Sequence, residues 1–298
     1  MTDPFELHEA LPDLESPVLV SMLTGWIDAS GAAAAATEYL LASCATRELA
    51  TFDGDLFIDY RARRPTMELR EGVSTRMVWP RITLHVGTTP AGRDLLVLSG
   101  AEPDSAWLRF ADVATRLSIE LGVSQVVLFG AYPFACPHTR PSRLSCTSPS
   151  AELVARVPFL KTSVDVPAGM GAVLEHTFVN RGVDAIGLWA QVPHYLGTMS
   201  FPGASVALLD GLQTITGLTV DTEVLRTEAA ALRERIDQLV AANPEHEAMV
   251  RQMEAIYDAE AERGANSSPT LGGLGSNDLP SADELAAEVE RFLRDQDT

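Results

Sequence analysis

Four short runs of nearly unbroken apolar residues punctuate the chain, at 18–23, 94–99, 125–129 and 184–189. Consecutive rather than alternating apolar positions predict central strands buried on both faces. Between and after them the spacing of apolar residues changes to a helical period, predicting helices at 32–43, 107–121, 171–180 and 204–216. A sheet covered by helices follows from this alternation. The stretch 48–86 breaks it, with several short strand-like segments and an Asp53-Gly54 turn signal. It predicts an antiparallel extension, so the fold class is α/β: a three-layer α/β/α arrangement with a mixed, largely parallel sheet of phosphorylase or hydrolase type.

From Asp221 the chain turns to Glu, Arg and Ala, and Val224, Leu225, Leu232, Ile236, Leu239 and Val240 fall on one helical stripe. Asn243-Pro244 supplies an N-cap and a first-turn proline that restart a helix, with Met249, Val250, Met253, Ile256 and Tyr257 expected inside. The pair predicts a helical hairpin. Residues 264–280 are rich in Gly, Ser, Asn and Pro and read as a flexible linker. Ser281 and Glu284 form a capping-box pattern before a last amphipathic helix with Leu285, Val289, Phe292 and Leu293 on one face. The expected organisation is therefore an α/β domain over 1–219, a hairpin over 220–263, the linker over 264–280 and a terminal helix over 281–298.

In open α/β sheets ligands bind beyond the carboxyl ends of the strands, where loops converge and helix N-termini point inward. Four polar loops hold that position. Thr24-Gly25-Trp26-Ile27-Asp28-Ala29-Ser30-Gly31 leads into the Ala-rich helix. Trp26 is a natural wall for a pocket or a subunit contact, while Asp28 or Ser30 reads first as a helix cap. Gly100-Ala101-Glu102-Pro103-Asp104 carries acids suited to a helix start. In 133–141 prolines surround Cys136, His138 and Arg140, a rigid setting for polar side chains. The fourth loop, 191–196, carries His194 and Tyr195. His138 and His194 are candidates for acid/base work; Trp26, Asp28, Glu102, Arg140 and Tyr195 are candidate ligand contacts. For either histidine alone, a packed structural role is the commoner use.

Charge narrows the partners. Forty-one acidic residues against 22 basic ones give −19, which repels phosphate backbones and anionic lipid, so neither nucleic acid nor membrane is expected. Lys161 is the only lysine. The basic cluster Arg61, Arg63 and Arg64 sits among Asp53, Asp55 and Asp59, and internal ion pairing is its expected use. Three cysteines, Cys44, Cys136 and Cys146, match no disulfide framework, the N-terminus lacks a signal-peptide pattern, and no apolar run spans a bilayer; a cytoplasmic location is expected. Cys136, His138 and Cys146 lack zinc-site spacing, and neither GxxxxGK[ST] nor GxSxG occurs, so no metal or cofactor is expected.

Taken together, Gly25-Trp26-Ile27-Asp28, Asp59-Tyr60-Arg61-Ala62-Arg63-Arg64-Pro65, the 100–104 loop, Pro137-His138-Thr139-Arg140-Pro141 and Val192-Pro193-His194-Tyr195 resemble the PAC2 family, proteins similar to proteasome assembly chaperone 2. The chain looks like the long actinobacterial branch, from about Val18 through the tail segment 279–284. The resemblance implies an α/β/α fold similar to purine nucleoside phosphorylases, a tendency to homo-oligomers, and partners related to the proteasome. It does not extend to the hydrophobic-Tyr-any ending of proteasome-docking factors, since the chain ends Arg294-Asp295-Gln296-Asp297-Thr298. Two functions follow as expectations: an oligomeric, chaperone-like interaction factor linked to proteasome assembly, or a small-molecule enzyme of hydrolase or phosphorylase type, with a nucleoside-like or anionic ligand in the strand-end crevice.

Overall fold

The computed structural model describes residues 3–264. The terminal helix expected over 281–298, and all of the expected linker but Gly264, lie outside the described residues. The strands are β1 (Phe5–Leu7), β2 (Val18–Thr24), β3 (Arg47–Phe52), β4 (Thr66–Arg70), β5 (Val73–Val78), β6 (Ile82–Thr88), β7 (Asp94–Ala101), β8 (Gln125–Phe134), β9 (Leu144–Thr147) and β10 (Asp184–Pro193). The helices are α1 (Ala32–Ser43), α2 (Gly54–Phe57), α3 (Trp107–Glu120), α4 (Ala151–Arg156), α5 (Met170–Val179), α6 (Pro202–Thr216), α7 (Glu223–Ala241) and α8 (Pro244–Gly264).

Eight strands form one sheet in the order β1-β3-β6-β7-β2-β8-β10-β9. Its four middle strands, β7, β2, β8 and β10, are parallel, and they are the four apolar runs. β6, β3 and β1 extend one side antiparallel, as the 48–86 stretch predicts, and β9 closes the other. Alternate residues of the parallel strands feed two cores. Val18, Val20, Val127, Ile186 and Leu188 pack with α1 and α6. Leu19, Leu96 and Val126 pack on the other face with Phe110 of α3 and Phe178 of α5. α1 lies close against α6, where the Ser205 hydroxyl donates to the Ala32 carbonyl at 2.8 Å.

The hairpin forms, with the Asn243 side chain accepting from the Glu245 N–H. Its apolar stripe is narrower than the spacing implies: Leu225 and Ile236 on α7 and Val250 and Met253 on α8 are buried, whereas Val224, Leu239 and Ile256 face solvent. The reason is that polar pairs carry much of its seat on the domain. β1, β9 and α4 escape pattern reading because each is too short to show a period.

One geometric detail governs the loops. β2 pairs with β8 only from Val18↔Gln125 to Ser21↔Leu128. Beyond that, β2 stays with β7 to Thr24↔Ala101 while β8 stays with β10 to Phe134↔Pro193. The carboxyl edge of the sheet therefore splits into two strand pairs.

Candidate functional site

The split sorts the four loops into two groups. Loops one and two, after β2 and β7, meet at the start of α5. Buried Glu102 accepts from the Met170 N–H at 2.6 Å, capping α5 where the sequence suggested a cap on α3. A Cβ placed on Gly169 would come within 3.0 Å of the Trp26 ring and 3.1 Å of the Glu102 carboxylate, so the three stand side by side. Trp26 is 43% exposed and presents an aromatic face at this rim. Arg63 clamps the group: its Nε donates to Asp104 at 3.0 Å and its Nη1 to the Thr24 carbonyl at 3.1 Å. Gly25 sits at φ +142°, a conformation strained for any other residue, and a Cβ there would displace the Arg63 guanidinium, whose Nη2 would lie 2.3 Å away. Arg63 belongs to the basic cluster, whose ion-pairing use it carries out.

Asp28 turns the other way. Its carboxylate accepts from the N–H groups of Ala33 at 2.8 Å and Ala34 at 3.0 Å, the cap that the sequence suggested. Burial raises its pKa and these two bonds pull it back. Asp28→Ala is expected to cost about 1 kcal/mol and Asp28→Asn less, read as a shift of the urea midpoint. Ser30 ties loop one to loop four, its N–H donating to the Gly197 carbonyl and its hydroxyl to that of Leu196.

Loops three and four, after β8 and β10, close on each other and then on the hairpin. The His138 N–H donates to the Tyr195 hydroxyl at 2.9 Å, and His138 Nδ1 lies 2.7 Å from the same oxygen. A backbone N–H only donates, so the hydroxyl proton is free to point at Nδ1. Nε2–H then donates to Asp237 of α7 at 3.0 Å. The set closes for neutral His138 protonated at Nε2. His138 is buried, and burial lowers its pKa against the opposing pull of Asp237. Burial drives the Tyr195 hydroxyl far above its ordinary value. The exposed His194 ring also stands edge-on to Tyr195, at 5.4 Å against 5.8 Å for His138.

Arg140 reaches α8. Its Nε and Nη2 bond both oxygens of Asp258, at 2.9 and 2.8 Å, and its Nη1 donates to Glu254 at 3.1 Å. Thr139 donates to the same Glu254 carboxylate, and the Tyr257 hydroxyl to the Pro141 carbonyl at 2.9 Å. Arg143 lies 3.7 Å over the Tyr257 ring and pairs with Glu260 at 2.7 Å. A cleft of about 200 Å³ between α7 and α8, lined partly by Thr139, Asp237, Val250 and Glu254, adjoins these contacts. Loop three is thus a seat for the hairpin. The acids that complete it, Asp237, Glu254 and Asp258, were legible only as helix-surface charges.

A second polar cluster had no sequence signal. Glu175 of α5 is 4% exposed and accepts from the Thr147 hydroxyl at 3.0 Å, above Gly187, where a Cβ would come within 2.4 Å of the carboxylate. Trp189 Nε1 donates to the same Thr147 oxygen at 3.3 Å. Burial pushes Glu175 up to about 8. Between its unfolded value of 4.5 and 8 the folded state holds a proton that the unfolded state releases, so this group makes stability fall as pH rises across that window. Glu175→Gln is expected to melt increasingly above wild type as pH rises from about 5 to 8, by up to a few kcal/mol; a pH-independent difference would contradict it. Cys44, Cys136 and Cys146 are free and buried, and burial raises the Cys136 thiol to about 12, far from a reactive thiolate.

Residues 22–240 match the model of the PAC2 family. No curated protein matches the chain. Among solved structures, a Mycobacterium tuberculosis protein of unknown function is 33% identical with a TM-score of 0.82, covering 91% of this chain and 94% of its own. A Corynebacterium glutamicum protein of unknown function is 28% identical with the same TM-score, covering 88% and 99%. A Mycobacterium tuberculosis proteasome-assembly chaperone homologue is 30% identical with a TM-score of 0.73, covering 78% and 99%.

Proposed function

The chain belongs to the PAC2 family, and from that premise we propose that it is an interaction protein: an oligomeric, chaperone-like factor acting on proteasome components. The observation that carries this reading is the use of the strand-end loops. His138, Thr139 and Arg140 spend their polar groups on Asp237, Glu254 and Asp258, so the strand ends mount a helical hairpin. An Arg140 bonded to both oxygens of Asp258 is not a free anion receptor, which weighs against the phosphorylase-type alternative. A relative named as a proteasome-assembly chaperone homologue supports the choice of partner. No helix among the described residues is long and apolar enough to cross a membrane, and the proposed place of action is the cytoplasm.

Exposed Trp26 and His194, at the rims of the two loop groups, are the proposed contacts for a partner. The test is reconstitution. Purified proteasome core subunits from the same organism are mixed with the full chain, and assembly intermediates are followed by native mass spectrometry. The chain is expected to be retained on intermediates and to change their rate of conversion. Unchanged kinetics with no retained chain would overturn the reading. A thermal-shift response to nucleosides or inorganic phosphate, with no effect on assembly, would transfer the function to the small-molecule alternative.

A further inference from the structure

On the face of the sheet where Leu128 meets α5, the carboxyl halves of β8, β10 and β9 turn polar. The register sets Thr147 beside Gly187 and Leu128, then Ser145 beside Trp189 and Gly130, then Gln191 beside Tyr132. Alternate residues of a strand share a face, so these rows adjoin one another. Two of the positions carry no side chain. The Trp189 indole fills the space above Gly130, where a Cβ would lie 2.3 Å from the ring, and the Thr147 hydroxyl and Glu175 carboxyl close over Gly187. Glu175, Gln191 and Ser145 are only 4, 4 and 7% exposed, while Trp189 and Tyr132 are half-buried.

Two hydrogen-bond chains flank the indole, and each ends open. Trp189 Nε1 donates to Thr147 and Thr147 to Glu175 Oε1, which leaves Glu175 Oε2 without a partner among the described residues. On the other side Gln191 Nε2 and the Ser145 hydroxyl both donate to the Tyr132 hydroxyl, at 3.0 and 3.3 Å, so the Tyr132 hydrogen points away from both. The Gln191 carbonyl oxygen accepts nothing among the described residues. Buried polar groups are costly unless bonded. A free donor beside a free acceptor fits the converse pair, which a carboxamide or lactam offers. No basic side chain among the described residues bonds Glu175, Tyr132 or Gln191, and burial keeps Glu175 protonated near neutrality. A charged ligand would be desolvated here with no counter-ion, whereas a flat ring gains contact with the indole.

One stretch of chain crosses this region. Leu160 runs along the outer edge of β9, its N–H donating to the Leu144 carbonyl and its carbonyl accepting from the Cys146 N–H. Gly169 stands beside Trp26 and Glu102, at the ends of β2 and β7. Residues 161–168 therefore pass the ends of β10 and β8, the strands that lie between. All of them are exposed and none belongs to a helix or strand. Among the described residues, none of their backbone groups hydrogen-bonds within the chain. A strap held by its two ends alone opens and closes at small cost.

We propose that this patch binds an uncharged planar ring bearing a carboxamide or lactam group, with the ring against Trp189, the amide between Tyr132 and Gln191, and the 161–168 strap closing over both. The site goes beyond the interaction role and does not rest on it, so the assembly assay and the test below can fail separately. Lys161 supplies the readout: it is the only lysine and it opens the strap, so a lysine-specific protease cuts the full chain once, after Lys161. Nicotinamide and 2-pyridone, an amide and a lactam, are titrated into the digestion, with nicotinate as the anionic counterpart. A ligand that holds the strap closed lowers the open population, so at ten times its dissociation constant the cut is expected to slow about tenfold. Nicotinate is expected to leave the rate unchanged. Tyr132→Phe, which removes only the hydroxyl, is expected to raise the concentration for half-protection about tenfold, at an unchanged melting temperature. A rate that neither uncharged probe lowers, equal protection by nicotinate, or full protection of Tyr132→Phe at the wild-type concentration would each overturn the proposal. The comparison of nicotinamide with nicotinate is made on wild type, so it stands whether or not the variant folds.

Discussion

His138→Ala is expected to lower the melting temperature by roughly 5–15 °C, from about 2–4 kcal/mol lost at about 2–4 °C per kcal/mol for a domain of this size. The imidazole is buried and bonded at both nitrogens. Its removal leaves a cavity, strips the Tyr195 hydroxyl of its acceptor and frees Asp237, so the domain and α7 come apart at their most buried polar contact. Limited trypsinolysis gives the specific readout: Arg233 and Arg235 on α7 are expected to become cleavable well before the sheet unfolds. Asp237→Asn preserves an acceptor for Nε2–H at a half-exposed position and is expected to be mild. A His138→Ala protein that melts with wild type and resists trypsin as well would show that this contact does not hold the hairpin.

The same residue sets an acid limit. His138 has a folded pKa below its unfolded 6.5, chiefly through burial, with Asp237 and Glu254 opposing that shift and Arg233 adding to it. Its stability contribution is therefore complete above about pH 6.5 and is lost as pH falls toward the folded value. Glu175 has the opposite slope, so the two are separated by comparing variants. The difference between wild type and His138→Gln is expected to shrink below about pH 6, whereas Glu175→Gln is expected to gain on wild type steadily toward pH 8.

Gly100→Ala is expected to cost about 2–6 kcal/mol, combining backbone strain with overpacking. Gly100 sits at φ +123°, and a Cβ there would lie 2.0 Å from the Arg81 carbonyl oxygen. That atom is backbone of the residue just before β6, so no side-chain rotation relieves the clash. Just beyond Gly100 the Ala101 N–H donates to the Arg81 carbonyl and the Glu102 N–H to that of Thr24, both of which place loop two. Gly92 is the control, since it has φ +82° with nothing within 4 Å of a new Cβ. Gly92→Ala is expected to lose only about 1 kcal/mol from strain. Equal urea midpoints for the two variants would remove close approach as the reason for Gly100.

The local readings of the loops survived unevenly. Asp28 caps α1 as its position before an Ala-rich helix suggests, because capping is decided within a few residues. Glu102 also caps a helix, but α5, 68 residues away. His138 and His194 both stack edge-on to Tyr195, at 5.8 and 5.4 Å, a meeting that no local spacing announces. Arg63 was visible as a residue that needed an acid, yet nothing in its neighbourhood named Asp104.

What the sequence determined by itself is the longer elements and their layers: runs of consecutive apolar residues make central strands, helical spacing makes the covering layers, and Asn243-Pro244 restarts a helix. Each of these is a property of the chain within about one element's length. Only the tertiary structure decided which ends meet. The parting of β2 from β8 after Ser21 and Leu128 divides the loops into two groups, and the hairpin then satisfies His138 with Asp237, 99 residues on. Hydrogen-bonding capacity is written in the sequence, but the identity of a partner is set by strand order and distance in space. The exposure of the β4–β5 pair is of the same kind, since its residues fit a covered strand as well as an open one until the main sheet leaves them out.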